Sequence, residues 1–257
     1  MPRRRFRDHR FGGVQIGRAQ GIRLNDVATV PDNLLLGALA PPDRNALISG
    51  TEPVVLSTGD SLAEAGKRLA HVYFPIDSSI SVAVPVAGHP PLEVGLIGYE
   101  GMLGIPLVLG ASTSAFRAVV QGGGRAWRVD AGRFTRQLED NRQIRRRMNA
   151  YAHVLLMQMA QAAACKNFHV VEERLARWLL MSRDRARCDR ISLTHEILSQ
   201  LLGVRRAGVT LAANALQKRA LISYARGQIV LLDTRGLEAA ACGCYSGEKR
   251  TYSRFMS

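Results

Sequence analysis

Leu198–Ile222 reads LSQLLGVRRAGVTLAANALQKRALI, two short apolar stretches hinged at Gly203, with Arg205 and Arg206 side by side just past the hinge. Thr194 can N-cap the first helix and Glu196 falls in its first turn, where an oxygen and a negative charge satisfy free N–H groups. Gly203 suits a left-handed C-cap. The second helix turns Val209, Ala212, Ala213 and Leu216 inward and leaves Arg205, Arg206, Gly208, Thr210 and Asn214 toward the outside. Two arginines at a helix N-terminus oppose the helix dipole, so they are useful there only if something anionic docks. Helix, glycine turn and helix, with Leu201, Leu202 and Val204 at the buried corner, is the helix-turn-helix arrangement, whose second helix enters the DNA major groove N-terminus first. In that setting the arginines meet phosphate oxygens and guanine edges.

The next segment, ALISYARGQIVLLD, predicts two short strands around Arg226-Gly227, a hairpin wing whose tip arginine can meet the DNA backbone. Charge supports the same partner. The chain carries 35 Lys and Arg against 21 Asp and Glu, a net +14 over 257 residues. The excess is uneven: net +6 over residues 1–23, −4 over 24–130 and +12 over 131–257. An acidic middle beside a basic C-terminal half implies two domains with different partners, one of them a polyphosphate.

Upstream, the period changes twice. In SSISVAVPVAG, Ile80, Val82, Val84 and Val86 alternate with Ser79, Ser81, Ala83 and Pro85, the period of a half-buried strand. PLEVGLIG, PVVLS, AHVYF, FRAVVQ and RAWRVD are further short strands separated by turn signals. Many short strands without intervening helices predict an antiparallel jelly roll over 31–130. From Ala131 a heptad stripe begins, with Ile144, Met148, Tyr151 and Leu155 at its a and d places, and no Pro from Gly132 to Cys165. It predicts one long helix with those four residues in a dimer seam, over residues 131–168. The remaining divisions are a basic disordered arm (1–30), a winged helix-turn-helix (169–240) and a C-terminal tail (241–257).

This order of parts resembles the Crp/Fnr family of bacterial transcription regulators over roughly residues 31 to 240. The resemblance is strongest from Ile191 to Glu238 and weaker in TGDSLAEAGKRLAHVYFPIDSSISV and GYEGMLGIPLVLGASTSAFRAVV. It implies an α+β fold, with a cyclic-nucleotide-binding-type jelly-roll sensor, a dimerisation helix and a winged helix-turn-helix. It further implies a cytoplasmic homodimer on a near-palindromic promoter site of double-stranded DNA, with RNA polymerase as a further partner. Thr194, Arg205, Arg206, Gly208, Thr210, Asn214 and Arg226 are the expected DNA-binding residues, with Arg206 the better candidate for a base contact.

In cyclic-nucleotide-binding relatives a Gly-Glu pair holds the ribose and an Arg-Ser or Arg-Thr pair holds the phosphate. Here Met102 occupies the acidic position and Ser114-Ala115 the arginine pair. A thioether accepts hydroxyl hydrogen bonds poorly and no cation remains for the phosphate. Glu100, Met102, Ser114 and Arg117 therefore mark an effector pocket whose ligand is not cyclic AMP, with Glu100 and Arg117 facing solvent or pairing with each other.

All four cysteines lie at Cys165 or beyond, so the N-terminal half has no ligands for an iron–sulfur sensor. Cys165 with His169 and Cys242 with Cys244 each offer two ligands where structural zinc takes four, which predicts thiols and no metal or other cofactor. No apolar run is long enough to span a bilayer. No phosphate loop, HExxH or nucleophile-elbow motif is present, so an enzyme is not expected. The competing reading is a ligand- or partner-binding barrel dimer that does not act through DNA.

Overall fold

The computed structural model describes residues 32–256; the basic arm expected over 1–30 lies outside them. Two short helices, α1 (Leu34–Gly37) and α2 (Pro41–Ile48), lead into seven strands: β1 (Thr51–Leu56), β2 (Ser61–Ala63), β3 (His71–Pro75), β4 (Ser79–Val86), β5 (His89–Ile97), β6 (Arg117–Gly122) and β7 (Gly124–Asp130). They form two antiparallel sheets, ordered β1-β7-β3 and β2-β6-β4-β5. Val72, Phe74, Ile80, Val82, Val120 and Val129 fill the core between them. The short helix α3 (Ile105–Val108) lies between β5 and β6.

The alternation in β4 is only half of what period two predicts. Ile80 and Val82 are buried, but so are Ser79 and Ser81, because the outer face is covered by a helix from the C-terminal half. Ser81 donates to Glu93 Oε2 at 2.5 Å, and Trp178 on that helix donates its indole N–H to Glu93 Oε1 at 2.7 Å.

The single helix expected from Gly132 to Cys165 is two, α4 (Ala131–Asp140) and α5 (Arg142–Phe168). Asn141 is extended, at φ −123° and ψ 104°, and its side-chain oxygen accepts from the N–H groups of Gln143 and Ile144. Asn141 is thus the N-cap of α5, the role for which Asn is suited.

The expected dimer seam also needs correction. Ile144, Met148, Tyr151 and Leu155 are buried within their own chain, in one core with the strands. Helix α5 turns this stripe onto the barrel, so the four residues are not free to meet a second copy.

Beyond α5 come α6 (Val171–Ala186), β8 (Arg190–Ser192), α7 (His195–Leu202), α8 (Arg206–Lys218), β9 (Ile222–Ala225), β10 (Gln228–Leu231) and α9 (Thr234–Ala240). Leu175, Leu179, Leu198, Val209, Leu216 and Leu237 form their core. The segment read as a tail ends in a helix, α10 (Cys244–Met256). Its apolar positions Tyr245, Tyr252 and Met256 recur at helical spacing, and it lies along α5. Arg147 donates to Met256 O at 2.5 Å and Phe255 meets His153 edge to face.

Barrel, α6 and α10 share a buried ionic cluster. Arg185 Nε donates to Leu96 O at 2.6 Å and lies 3.2 Å from Glu100 Oε1. Glu248 pairs with Arg177 and, at 3.8 Å, with Arg185. Gly98 makes the approach possible, since a Cβ there would lie 2.6 Å from the Arg185 backbone.

Candidate nucleic-acid interface

Thr194 caps α7, accepting from Ile197 N at 3.3 Å, and Gly203 ends it with φ +64°. The αL geometry at Gly203 turns the chain within two residues into α8, whose Val209, Ala212, Ala213 and Leu216 are buried. Arg205 is the N-cap of α8 and makes no side-chain cap bond. Arg205, Arg206 and Asn214 are exposed, as is Leu211 at 72 %. An N-terminus without a side-chain cap, flanked by two exposed guanidinium groups, adds the helix's free N–H groups to their charge as anion-binding donors.

Thr210 is half-buried. Its hydroxyl lies 3.0 Å from His195 Nδ1 and 3.1 Å from Arg206 O, so it ties α8 to the start of α7. His195 has no counterpart in the sequence reading. Its ring packs tilted against that of Tyr224, with centroids 4.5 Å apart, joining α7, α8 and the wing, and burial with the charge of Arg206 pushes its pKa down. Tyr224 donates its hydroxyl to Leu193 O at 2.9 Å and its N–H to Gln217 at 2.9 Å. Gly208 is half-buried, and a Cβ there would meet only Val171, at 4.0 Å.

The wing is a two-residue hairpin, with Ala225 opposite Gln228 and both Arg226 (φ +50°) and Gly227 (φ +76°) left-handed. Two consecutive left-handed residues are the turn that matches strand twist, and it holds Arg226 exposed at the tip. A third strand, β8, pairs with β10 and widens the wing to a sheet.

The four effector-pocket candidates separate. Met102 and Ser114 line a cavity of about 580 Å³ between the barrel, α3 and α5, together with Ile97, Leu103, Phe116 and Leu156. Ser114 Oγ donates to Phe116 O and accepts from Phe116 N, at 2.8 and 3.1 Å. No Asp, Glu, Lys or Arg is among the lining residues. Glu100 and Arg117 are elsewhere and do not pair with each other: buried Glu100 accepts from Gly98 N and meets Arg185, while Arg117 lies 3.6 Å from Glu64.

The expectation of no metal rested on two ligands per pair, and the fold removes that premise. Because α10 folds back along α5, Cys242 and Cys244 arrive beside Cys165 and His169, and the four ligand atoms lie within 4.8 Å of one another.

The chain is a barrel joined through a long helix to a winged helix-turn-helix whose second helix opens with two exposed arginines. The family model of the Crp-like helix-turn-helix domain matches residues 173–240. FixK2 from Bradyrhizobium japonicum is similar in structure, with a TM-score of 0.63, 14 % identity, and 75 % of this chain and 98 % of that one covered. A transcriptional regulator assigned to the Crp/Fnr family from Eubacterium rectale gives 0.62 at 13 % identity, covering 80 % and 96 %. The c-di-GMP-responsive global regulator CLP of Xanthomonas campestris gives 0.61 at 15 % identity, covering 76 % and 100 %. No curated protein sequence matches the chain closely. The protein therefore has the fold of the Crp/Fnr transcription regulators, with a Crp-like helix-turn-helix in its C-terminal half. Among the described residues no helix is long and apolar enough to cross a membrane.

Proposed function

We propose that the protein is a sequence-specific DNA-binding transcription regulator that acts as a homodimer on a near-palindromic promoter site. The observation that carries this is the exposed Arg205-Arg206 pair at the N-terminus of α8, which has no side-chain cap, on a helix whose opposite face is core. Helix α8 enters the major groove, Arg206 reads a guanine edge, and Arg205, Thr194 and the wing-tip Arg226 bind backbone phosphates. Asn214 lies about two turns further along α8, and the backbone at Gly208 approaches the duplex without a side chain between. A promoter-bound dimer then contacts RNA polymerase.

The dimer seam proposed here is the outer face of α5. Asn149, His153, Leu156, Ala160 and Ala163 are spaced alternately four and three residues apart, and Leu156 is 64 % exposed. Small alanines allow two helices to approach closely, and the spacing is that of a coiled-coil stripe. Leu156 and His153 also line the cavity, so its occupant bears directly on the seam. An apolar wall without a cation favours an apolar small molecule over a cyclic nucleotide, whose phosphate needs a charged partner.

The test is fluorescence anisotropy on promoter fragments over a salt series, for wild type and Arg206→Ala, with and without cyclic AMP. Salt-steep binding weakened by the substitution and unchanged by the nucleotide supports the reading. Binding that needs cyclic AMP overturns the cavity assignment, and salt-insensitive or absent binding favours a barrel dimer with a partner other than DNA.

A further inference from the structure

Cys165 is on the last turns of α5 and His169 ends that helix, while Cys242 follows α9 and Cys244 opens α10. The three sulfurs form a buried cluster of their own, separate from both apolar cores, and His169 is half-buried beside them. Cys165 Sγ is 3.5 Å from Cys242 Sγ, and Cys244 Sγ is 3.7 Å from His169 Nδ1. Disulfide sulfurs stand about 2.05 Å apart, so the cysteines are free thiols.

Tetrahedral ligands at about 2.3 Å for sulfur and about 2.0 Å for nitrogen stand roughly 3.5 to 3.8 Å from one another. Two of the pairs already have that spacing, and the widest separation, 4.8 Å, closes by about 1 Å through side-chain rotation. An iron–sulfur cluster places its own atoms between the cysteines and needs them further apart. Outer-sphere groups are also in place. Gln161 donates to Cys244 Sγ at 3.0 Å, the kind of bond that orients a ligating sulfur. Lys166, Arg174 and Arg177 line the small cavity that Cys165 also borders. Three thiolates and a neutral imidazole around a divalent ion carry one net negative charge, and these cations offset it.

We infer that Cys165, His169, Cys242 and Cys244 form a closed four-ligand site for a zinc-class divalent ion. On binding, each thiol releases its proton to solvent and no electrons are transferred. One ligand pair precedes α6 and the other follows α9, so every DNA-contacting element lies in the loop the ion closes. The ion clasps both ends of the winged helix-turn-helix to the base of α5 and fixes the start of α10. Metal loss would release that clasp.

The experiment uses the full chain, reduced, with metal content measured as isolated, after chelation, and after titration with cobalt(II) followed by zinc(II). The expected result is one ion per chain, a visible spectrum of tetrahedral cobalt with thiolate ligands, and displacement of cobalt by zinc. Cys244→Ser and His169→Gln should weaken uptake at least about tenfold, whereas Cys188→Ser, an exposed cysteine outside the cluster, should not. Circular dichroism establishes that each variant is folded, and the wild-type titration decides the matter if one is not. A folded, reduced wild type that takes up no stoichiometric ion overturns the assignment, as do variants with unchanged uptake, a native Cys165–Cys242 disulfide, or iron with labile sulfide. None of these readings depends on DNA, so the site can fail while the regulator reading stands, and the reverse.

Discussion

Trp178 on α6 donates its indole N–H to the buried carboxylate of Glu93 on β5, 2.7 Å away, so the first helix of the DNA-binding half is hydrogen-bonded into the outer face of the barrel. Burial pushes the Glu93 pKa up, against the opposing effects of its bonds to Ser81 and Trp178 and of the nearby Lys166 and Arg185. A raised carboxylate pKa means that the folded state holds its proton more tightly than the unfolded chain. The contribution to stability is fully present below the unfolded value, near 4.5, and is lost as pH rises through the folded value. Glu93→Gln should flatten that decline in thermal midpoints measured from acid to neutral pH, while Glu93→Ala should lower the midpoint throughout.

Glu248 is the acid shared by the buried Arg177 and Arg185. Removing it leaves two guanidinium groups with one carboxylate, so Glu248→Ala should cost about 3 to 5 kcal/mol. Replacing Arg177 and Glu248 together by methionine should recover much of that loss, because an apolar pair carries no desolvation penalty. Urea denaturation of the three proteins gives both numbers.

Arg206 and Arg226 should separate by the kind of contact each makes. Arg206→Ala is expected to lose about 1 to 3 kcal/mol on the cognate site and to relax base preference at one position. Arg226→Asn keeps a residue suited to the left-handed turn, so the hairpin should hold while the salt dependence of binding falls by about 0.9 in log–log slope.

Gly208 tests how close the DNA backbone comes. Space for a Cβ is available, and Ala is favoured over Gly in a helix by about 0.5 to 1 kcal/mol. Gly208→Ala should therefore raise the melting temperature and lower DNA affinity. A rise in stability with unchanged affinity would remove Gly208 from the interface.

His195 sets the angle between α7 and α8 through Thr210. Its depressed pKa means the unfolded chain binds a proton more readily, so its contribution to stability is present above the ordinary value near 6.5 and lost as pH falls below it. His195→Gln should remove that acid sensitivity, and Thr210→Val should weaken DNA binding without removing a phosphate contact.

Local patterns determined much of this protein. Thr194, Gly203 and the inward face of Val209, Ala212, Ala213 and Leu216 specify two helices and the turn between them. Alternating strands specify a barrel, and the Arg226-Gly227 turn a wing, because caps, turns and periodicity depend on neighbours within a few residues. The apolar character at Met102 and the missing cation at Ser114-Ala115 were equally legible, since side-chain chemistry does not depend on the fold.

Tertiary structure alone decided which face of α5 is core. A heptad stripe specifies that a helix buries one side, and burial against the protomer's own barrel leaves the same trace as burial against a partner. It also decided the fate of the segment that follows α9, whose 13-residue helix α10 is too short to stand by its own propensity and forms by packing along α5. That packing brings Cys242 and Cys244 to Cys165 and His169 across a separation of 77 residues between Cys165 and Cys242. A two-ligand spacing in sequence carries no information about a second pair that arrives only when the chain returns on itself.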